Sequence, residues 1–552
     1  MASRKARACA TVLGVGRKDG QHKMAGKDFD IVIVGAGFAG LYMLHRARGL
    51  GLKARVLEAA SGVGGTWFWN RYPGARCDVE SMEYSYQFSD ALQQEWNWTE
   101  RYAAQDEILR YANHVADRFD LRRDIQFGTR VKAAHFDEAA GWRIETKAGE
   151  HLTARHAVMA TGCLSTTNTP RIPGIDRFAG RIFHTGTWPT ERVDFAGRRV
   201  GVIGTGSSGI QAIPEIARVA AHMCVFQRTP NYTIPAHNRP LAADEIAAVK
   251  ADYAGLRARA NALPSGVYAE VNPKGALDAS PEERRATYER AWNHGGTVFM
   301  ASFNDLVASH ASNETAAEFV REKIRAIVKD PKVADLLSPH NVIGCKRLCI
   351  DTGYYATYNR PNVTLVDVSR TPVEAIVPEG LVTGGTTYTF DDLVFATGFD
   401  AMTGTLNAID IRGVGGARLK DAWADVPRNY LGLTVSGFPN LFTITGPGSP
   451  SVFTNMIPAI EQHVNWVSDL LAHMGRTGKT RVEASEAAER DWVKHVAEVG
   501  ALSLRSHCDS WYLGANIEGK ARVFTPYIGG VPTYAKICDD VAAKGYEGFT
   551  LG

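Results

Sequence analysis

Four short apolar runs along this chain end in small residues and glycine. Ile31-Val32-Ile33-Val34 leads into Gly35-Ala36-Gly37-Phe38-Ala39-Gly40, and Val200-Gly201-Val202-Ile203 into Gly204-Thr205-Gly206-Ser207-Ser208-Gly209. Ala157-Val158-Met159-Ala160 leads to Thr161-Gly162, and Leu393-Val394-Phe395-Ala396 to Thr397-Gly398. Runs this short, bounded by turn residues, predict buried strands. After the first two, the apolar positions take helical spacing, so each reads as strand, glycine turn, helix. Further strands are expected over residues 125–133, 142–146 and 363–366, and near 342. Between 236 and 335 the rhythm changes to a charged, helical one. There, Phe319, Val320, Ile324, Ile327 and Val328 share one face of a helix over residues 314–329. Ser280-Pro281-Glu282-Glu283 reads as a capping box with proline at the first helical position.

The two glycine turns carry the first chemical content. In a strand–GxGxxG–helix unit the first glycine permits the tight turn. The second lets backbone approach a pyrophosphate, and the third lets helix pack on strand. The helix start then presents free N–H groups to an anion. Two such cradles in one chain point to two dinucleotides and to electron transfer between them. The strand after the first cradle ends at Glu58, an acid placed for a ribose hydroxyl. The matching strand of the second, Cys224-Val225-Phe226-Gln227-Arg228-Thr229, has Arg228 instead. A guanidinium can fork onto a 2′-phosphate that a carboxylate would repel. The residues therefore indicate FAD at the first cradle and NADPH at the second.

The expected fold is α/β, with two Rossmann-like dinucleotide-binding domains, the second inserted in the first and itself carrying a helical insertion. The alanine-threonine-glycine twins at 160–162 and 396–398 are read as the exit from the first domain and the return to it. The boundaries that follow are 1–27 for an N-terminal extension, and 28–165 with 390–552 for the FAD domain. The NADP domain takes 170–235 with 338–388, and the insertion 236–337.

Composition adds exclusions. The 552 residues are 45% hydrophobic and 22% charged, ordinary for a globular protein of two or three domains. A net charge of +3 gives no field for nucleic acid. No apolar run is long enough to span a bilayer. The eight cysteines are scattered without a CxxC, which argues against a zinc site, a disulfide framework and a dithiol reductase, and suits the cytoplasm. A monomer is expected, since no heptad repeat is evident.

Between the domains runs Phe178-Ala179-Gly180-Arg181-Ile182-Phe183-His184-Thr185-Gly186-Thr187-Trp188-Pro189, which fits FxGxxxHxxxWP. On such a linker His184 and Trp188 are read as coordinating the domains rather than reacting. With the two cradles, this pattern resembles the fingerprint of the type I Baeyer–Villiger monooxygenases, flavoenzymes that convert ketones to esters or lactones. The resemblance runs from about Asp28 to the C-terminus. It includes Gly64-Gly65-Thr66-Trp67-Phe68-Trp69-Asn70-Arg71-Tyr72-Pro73-Gly74-Ala75-Arg76-Cys77-Asp78, Lys346-Arg347-Leu348 and Ser510-Trp511-Tyr512-Leu513-Gly514-Ala515-Asn516. Within the family the chain most resembles the phenylacetone and steroid monooxygenases, through Arg76-Cys77-Asp78 and Gly446-Pro447-Gly448-Ser449-Pro450-Ser451.

The resemblance implies roles for particular residues. Arg347 would hold the anionic flavin C4a-peroxide that attacks a carbonyl, and Asp78 would orient Arg347. Lys346 would join Arg228 and Thr229 at the 2′-phosphate, Gln211 would belong to the NADP site, and Trp511 would contact bound NADP. Phe38, Ala39, Glu58, Thr66, Trp67, Trp69, Arg76, Cys77, Tyr84, Val131 and Met456 would surround FAD. Ser451, Val452 and Phe453 would form a substrate-pocket loop, with Phe453 bulkier than the leucine common in the steroid branch. The implied function is NADPH- and O2-dependent insertion of one oxygen atom into a cyclic, aryl or bulky ketone. The alternatives are a related flavin monooxygenase acting on nitrogen or sulfur, and an NADPH oxidase.

Overall fold

The computed structural model describes residues 27–552. The N-terminal extension read from the sequence lies outside the described residues except for Lys27.

The first sheet has eight strands. Phe29–Val34 lies at its centre, parallel to Ala54–Leu57 on one side and to His151–Met159 on the other. Both faces of this centre are covered, which is why Ile31, Val32 and Ile33 are all buried and the strand reads as an unbroken apolar run. Val131–Asp137 and Gly141–Thr146 continue the sheet antiparallel, and Leu441–Thr443 returns late in the chain to pair with His151–Met159.

The second sheet has five parallel strands, in the order Val363–Asp367, His222–Gln227, Arg199–Ile203, Asp392–Phe395, Arg181–His184. Here the structure corrects the sequence reading. Asp392–Phe395, taken as the return to the first domain, pairs with Arg199–Ile203 and Arg181–His184 inside the second sheet. The reason is electrostatic as well as apolar. Asp392 is wholly buried, and its carboxylate accepts paired hydrogen bonds from Arg181 and Arg198. Stripped of both arginines, it would be an uncompensated buried charge.

The helical stretch does not pack as one body. His310–Ile327 buries Phe319, Val320 and Ile324 against the second sheet's cluster. Tyr253–Asn261 instead packs on the first unit, where Arg257 donates to the carbonyl of Glu83 and the hydroxyl of Ser85. Ser280 caps Pro281–His294 by accepting from the Glu283 amide at 3.2 Å. The reciprocal arm of the expected box is missing, because Glu283 accepts from Lys274 instead. Cys345 and Cys508, 163 residues apart, meet as a disulfide pair, contrary to the expectation from scattered cysteines. Among the described residues no helix is long and apolar enough to cross a membrane.

The helix Met456–Thr477 packs into the first core, where His463 is fully buried. Its Nδ1 accepts from the Thr445 amide at 3.1 Å, and its Nε2 has no partner. Burial pushes its pKa from 6.5 down to about 3. Between those values the unfolded chain binds a proton that the native state refuses, so stability falls as pH drops through this window. Each pH unit costs about 1.4 kcal/mol per such group. His463→Gln is therefore expected to flatten the acid limb of the denaturant midpoint against pH. Parallel profiles for the two proteins would refute it.

Candidate active site

The two cradles are near copies in space. Gly35 and Gly204 have φ of +104° and +107°, the left-handed region that favours glycine. A Cβ on Gly35 would stand 2.6 Å from the carbonyl oxygen of Ala160, and one on Gly204 would stand 2.5 Å from that of Ala396. The alanine-threonine-glycine twins thus each close their own cradle. The third glycines are equally constrained, since a Cβ on Gly40 or Gly209 would strike the carbonyl oxygen of Gly35 or Gly204 at 1.8 or 2.3 Å. The middle glycines face open ground. A Cβ on Gly206 would meet nothing within 4 Å, and one on Gly37 only the backbone of Gly65, its Cα at 3.4 Å and its nitrogen at 3.8 Å. The helices Phe38–Gly49 and Ser207–Ala217 start there with no side-chain cap, so their first N–H groups remain available. Room and unused donors at both middle glycines fit a dinucleotide at each.

Glu58 is buried, and its two oxygens accept from the amides of Ala36 at 2.6 Å and Ala60 at 2.7 Å. Burial raises its pKa, and these bonds oppose the rise. A carboxylate oxygen keeps a further lone pair, so a ribose hydroxyl can still donate to it.

Around the first cradle, Thr66–Trp69 forms a short helix. Trp67 donates from Nε1 to the Tyr84 hydroxyl at 3.0 Å, and the Trp69 carbonyl accepts from the Trp188 amide at 3.3 Å. Val131 is buried at the start of its strand, and the buried thiol of Cys77 is held protonated by burial and then by the charge of Asp78. Two residues expected at cofactors are engaged within the protein. Arg76 donates to Glu100 and to the carbonyl of Tyr102. Gln211 accepts from the Tyr72 hydroxyl at 2.8 Å and donates to the Arg76 carbonyl at 3.1 Å, clamping the second cradle's helix to the first unit.

The centre lies where these units meet. Arg347 donates from Nε and Nη2 to the two oxygens of Asp78, and from Nη1 to the carbonyl of Val452. Burial works against its charge, but the Asp78 carboxylate outweighs it and holds the pKa above the ordinary arginine value. Three of its five N–H donors are thus used, and two remain. Val452, Phe453, Met456, Trp511 and Tyr512 form one apolar cluster beside it. Ser451 Oγ and Tyr512 Oη are buried there without partners. Among the described residues, Arg228 and Lys346 have no hydrogen-bond or ion-pair partner. Lys346 has its pKa lowered by burial and then by the charge of Arg228, with Asp509 opposing more weakly, so two cations stand together without an ion pair among the described residues. Thr229 joins the second cradle, its carbonyl accepting from the Thr205 hydroxyl at 3.0 Å.

His184 binds the two crossings between the sheets. Its Nδ1 accepts from the Gly186 amide at 3.0 Å, which leaves the proton on Nε2 beside the Asn168 carbonyl and the Thr397 hydroxyl. The segments at 168 and 397–398 are joined by two further hydrogen bonds. Burial lowers the His184 pKa, favouring this neutral form. Three contributors escaped the sequence reading: Gln105, which donates to the Trp67 carbonyl; Asn168; and Arg505, whose guanidinium lies over the Phe453 ring at 4.5 Å. No local motif marks any of them.

Residues 32–258, which hold both cradles, match the family model described as pyridine nucleotide-disulphide oxidoreductase. A Baeyer–Villiger monooxygenase of Pseudooceanicola batsensis is 43% identical over 95% of this chain and 96% of its own length. The chain belongs to the Baeyer–Villiger monooxygenase family. It is a flavoenzyme that uses FAD and NADPH to oxygenate ketones. A phenazine N-monooxygenase of Lysobacter antibioticus is 41% identical over 95% of the chain and 97% of its own length. Among solved structures, an oxidised steroid monooxygenase bound to NADP superposes with a TM-score of 0.91 at 52% identity, covering 95% of this chain and 99% of the other.

The contrast between the glycines is testable. Gly209→Ala is expected to destabilise by about 1–3 kcal/mol or fail to fold. Gly206→Ala should keep the wild-type melting temperature yet raise the KM for NADPH, since its methyl group occupies the ground the pyrophosphate approaches. An unchanged KM would refute that placement.

Proposed function

We propose that Arg347 is the cation that stabilises negative charge during oxygen transfer to a ketone, and that Asp78 fixes its plane. The observation that carries this is the fork from Arg347 to Asp78, which leaves two donors free beside the apolar cluster of Val452, Phe453 and Tyr512. Bound FAD supplies the oxygen-activating chemistry, with electrons drawn from NADPH. A guanidinium already fixed by protein bonds needs no reorganisation when charge develops. Its raised pKa keeps it charged throughout the working pH range. Arg228, Lys346 and Thr229 hold the 2′-phosphate of NADPH, and the apolar cluster keeps water from the reacting centre. Glu58 and the first cradle would hold FAD, with Trp67, Tyr84 and Met456 among its further contacts. The boundary between the two units falls after Gly398, and the enzyme works as a cytoplasmic monomer.

Arg347→Lys keeps a charge but loses the fork. It is expected to lower ester formation by about 10²–10³-fold while NADPH still reduces the flavin in stopped flow. Ester formation at the wild-type rate would remove Arg347 from this role.

Arg228→Ala should raise the KM for NADPH about ten- to hundredfold, the worth of a charge-assisted contact, and leave that for NADH unchanged. Equal effects on both would refute the assignment.

The reaction itself is tested by ester or lactone formed per NADPH consumed, across small cyclic, large cyclic, aryl and steroidal ketones. The similarity to a phenazine N-monooxygenase favours one second reading, oxygenation at nitrogen. N-oxide from an aromatic amine panel, with peroxide alone from every ketone, would establish it.

A further inference from the structure

Arg505 is a cation without a counter-charge among the described residues. It lies on the turn Leu504–His507, partly buried, and its Nε donates to the Gly344 carbonyl at 3.2 Å. Among the described residues its remaining donors have no acceptor, and it forms no ion pair. Three other arginines withdrawn from water are matched by carboxylates: Arg347 by Asp78, Arg321 by Glu314 and Glu318, Arg101 by Glu80. Arg257, buried without an ion pair, instead spends its donors on Gln93, the Glu83 carbonyl and Ser85. A guanidinium partly withdrawn from water with no carboxylate beside it gives up hydration that the protein does not return. The charge of Arg347, with the same sign, adds to the effect of burial in lowering its pKa.

Its surroundings belong to the candidate substrate pocket. The guanidinium stacks on Phe453, whose ring lies 4.1 Å from that of Tyr512. Among the described residues the buried Tyr512 hydroxyl has no partner; burial raises its pKa, and the nearby charges of Arg347 and Arg505 oppose that rise. The residue before Phe453 is Val452, whose carbonyl accepts from Arg347. Two cations therefore bracket one aromatic segment. Asp78 neutralises one of them, and the other is left with unused donors and an orphan phenol nearby.

We propose that Arg505 and the Tyr512 hydroxyl form an anion subsite of the substrate pocket, selecting ketones that carry a carboxylate. This rests on the ketone-monooxygenase reading. The carboxylate would dock at Arg505, and the carbonyl would reach past Phe453 toward Arg347.

The test compares levulinate and its longer straight-chain homologues, and acetylbenzoate, each against its methyl ester, in wild type, Arg505→Gln and Arg505→Lys. Wild type is expected to favour the acid in kcat/KM by about ten- to hundredfold for at least one member, the worth of one charge-assisted contact. Arg505→Gln should bring that ratio toward one, and Arg505→Lys should retain most of it. A wild-type ratio at or below one for every pair would overturn the proposal, and this comparison needs no variant to fold. A ratio unchanged in Arg505→Gln would also overturn it. So would an Arg505→Gln effect that raises the KM for NADPH by one factor whichever ketone is used, since Arg505 would then serve the cofactor. Flavin absorbance of the oxidised enzyme with NADP+, titrated with the same acids and esters, reads binding without turnover. Acid-selective binding lost in Arg505→Gln supports the subsite even if no member yields ester, a result that would count against the monooxygenase reading alone.

Discussion

The ion pair between Asp78 and Arg347 is the contact on which the rest of the centre depends. Asp78 ends the glycine- and aromatic-rich loop of the first unit, and Arg347 leads into the strand Cys349–Asp351 beside the second cradle. Neither unit could position a reactive cation alone. Removing one partner of such a pair typically costs 3–5 kcal/mol, because the other is left as an uncompensated charge. The pair therefore joins the halves and orients the reactive guanidinium at once. The Val452 carbonyl fixes the third side of that guanidinium, so the substrate-facing loop is set by the same residue.

Other contacts keep this pair in register. Gln211 holds Tyr72 and the backbone of Arg76, close in sequence to Asp78. The Trp188 amide reaches the Trp69 carbonyl, and His184 gathers Asn168 and Thr397. The histidine contributes its ability to accept on one nitrogen and donate on the other. That property joins three backbone segments at one point and calls for no proton transfer to substrate.

Much of this was legible in the sequence because it is local. Each cradle is a short string whose glycines answer to atoms in the same turn or in the strand beside it, and Glu58 and Arg228 stand at fixed offsets from those turns. What was not legible depends on distant partners. The strand Asp392–Phe395 looks like its twin at 157–160, and only the burial of Asp392 between Arg181 and Arg198 assigns it to the second sheet. The capping box at Ser280 failed by one arm because Lys274 competes for Glu283. Arg505 sits in no motif. Its meaning comes from Phe453 and Gly344, far away in the chain, and from the lack of a paired carboxylate among the described residues.

Gly74 has a consequence for how such enzymes can diverge. A side chain there would stand 2.3 Å from the carbonyl oxygen of Gln211 and 2.9 Å from the Cγ of Glu215, so this loop is moulded to the helix of the other unit. Residues 62–78 are therefore inherited with the second unit in a physical sense, although they are encoded within the first. A chimera that exchanged whole units between relatives would separate the loop from the surface it was shaped on. One that carried the loop with the second unit would preserve the seam.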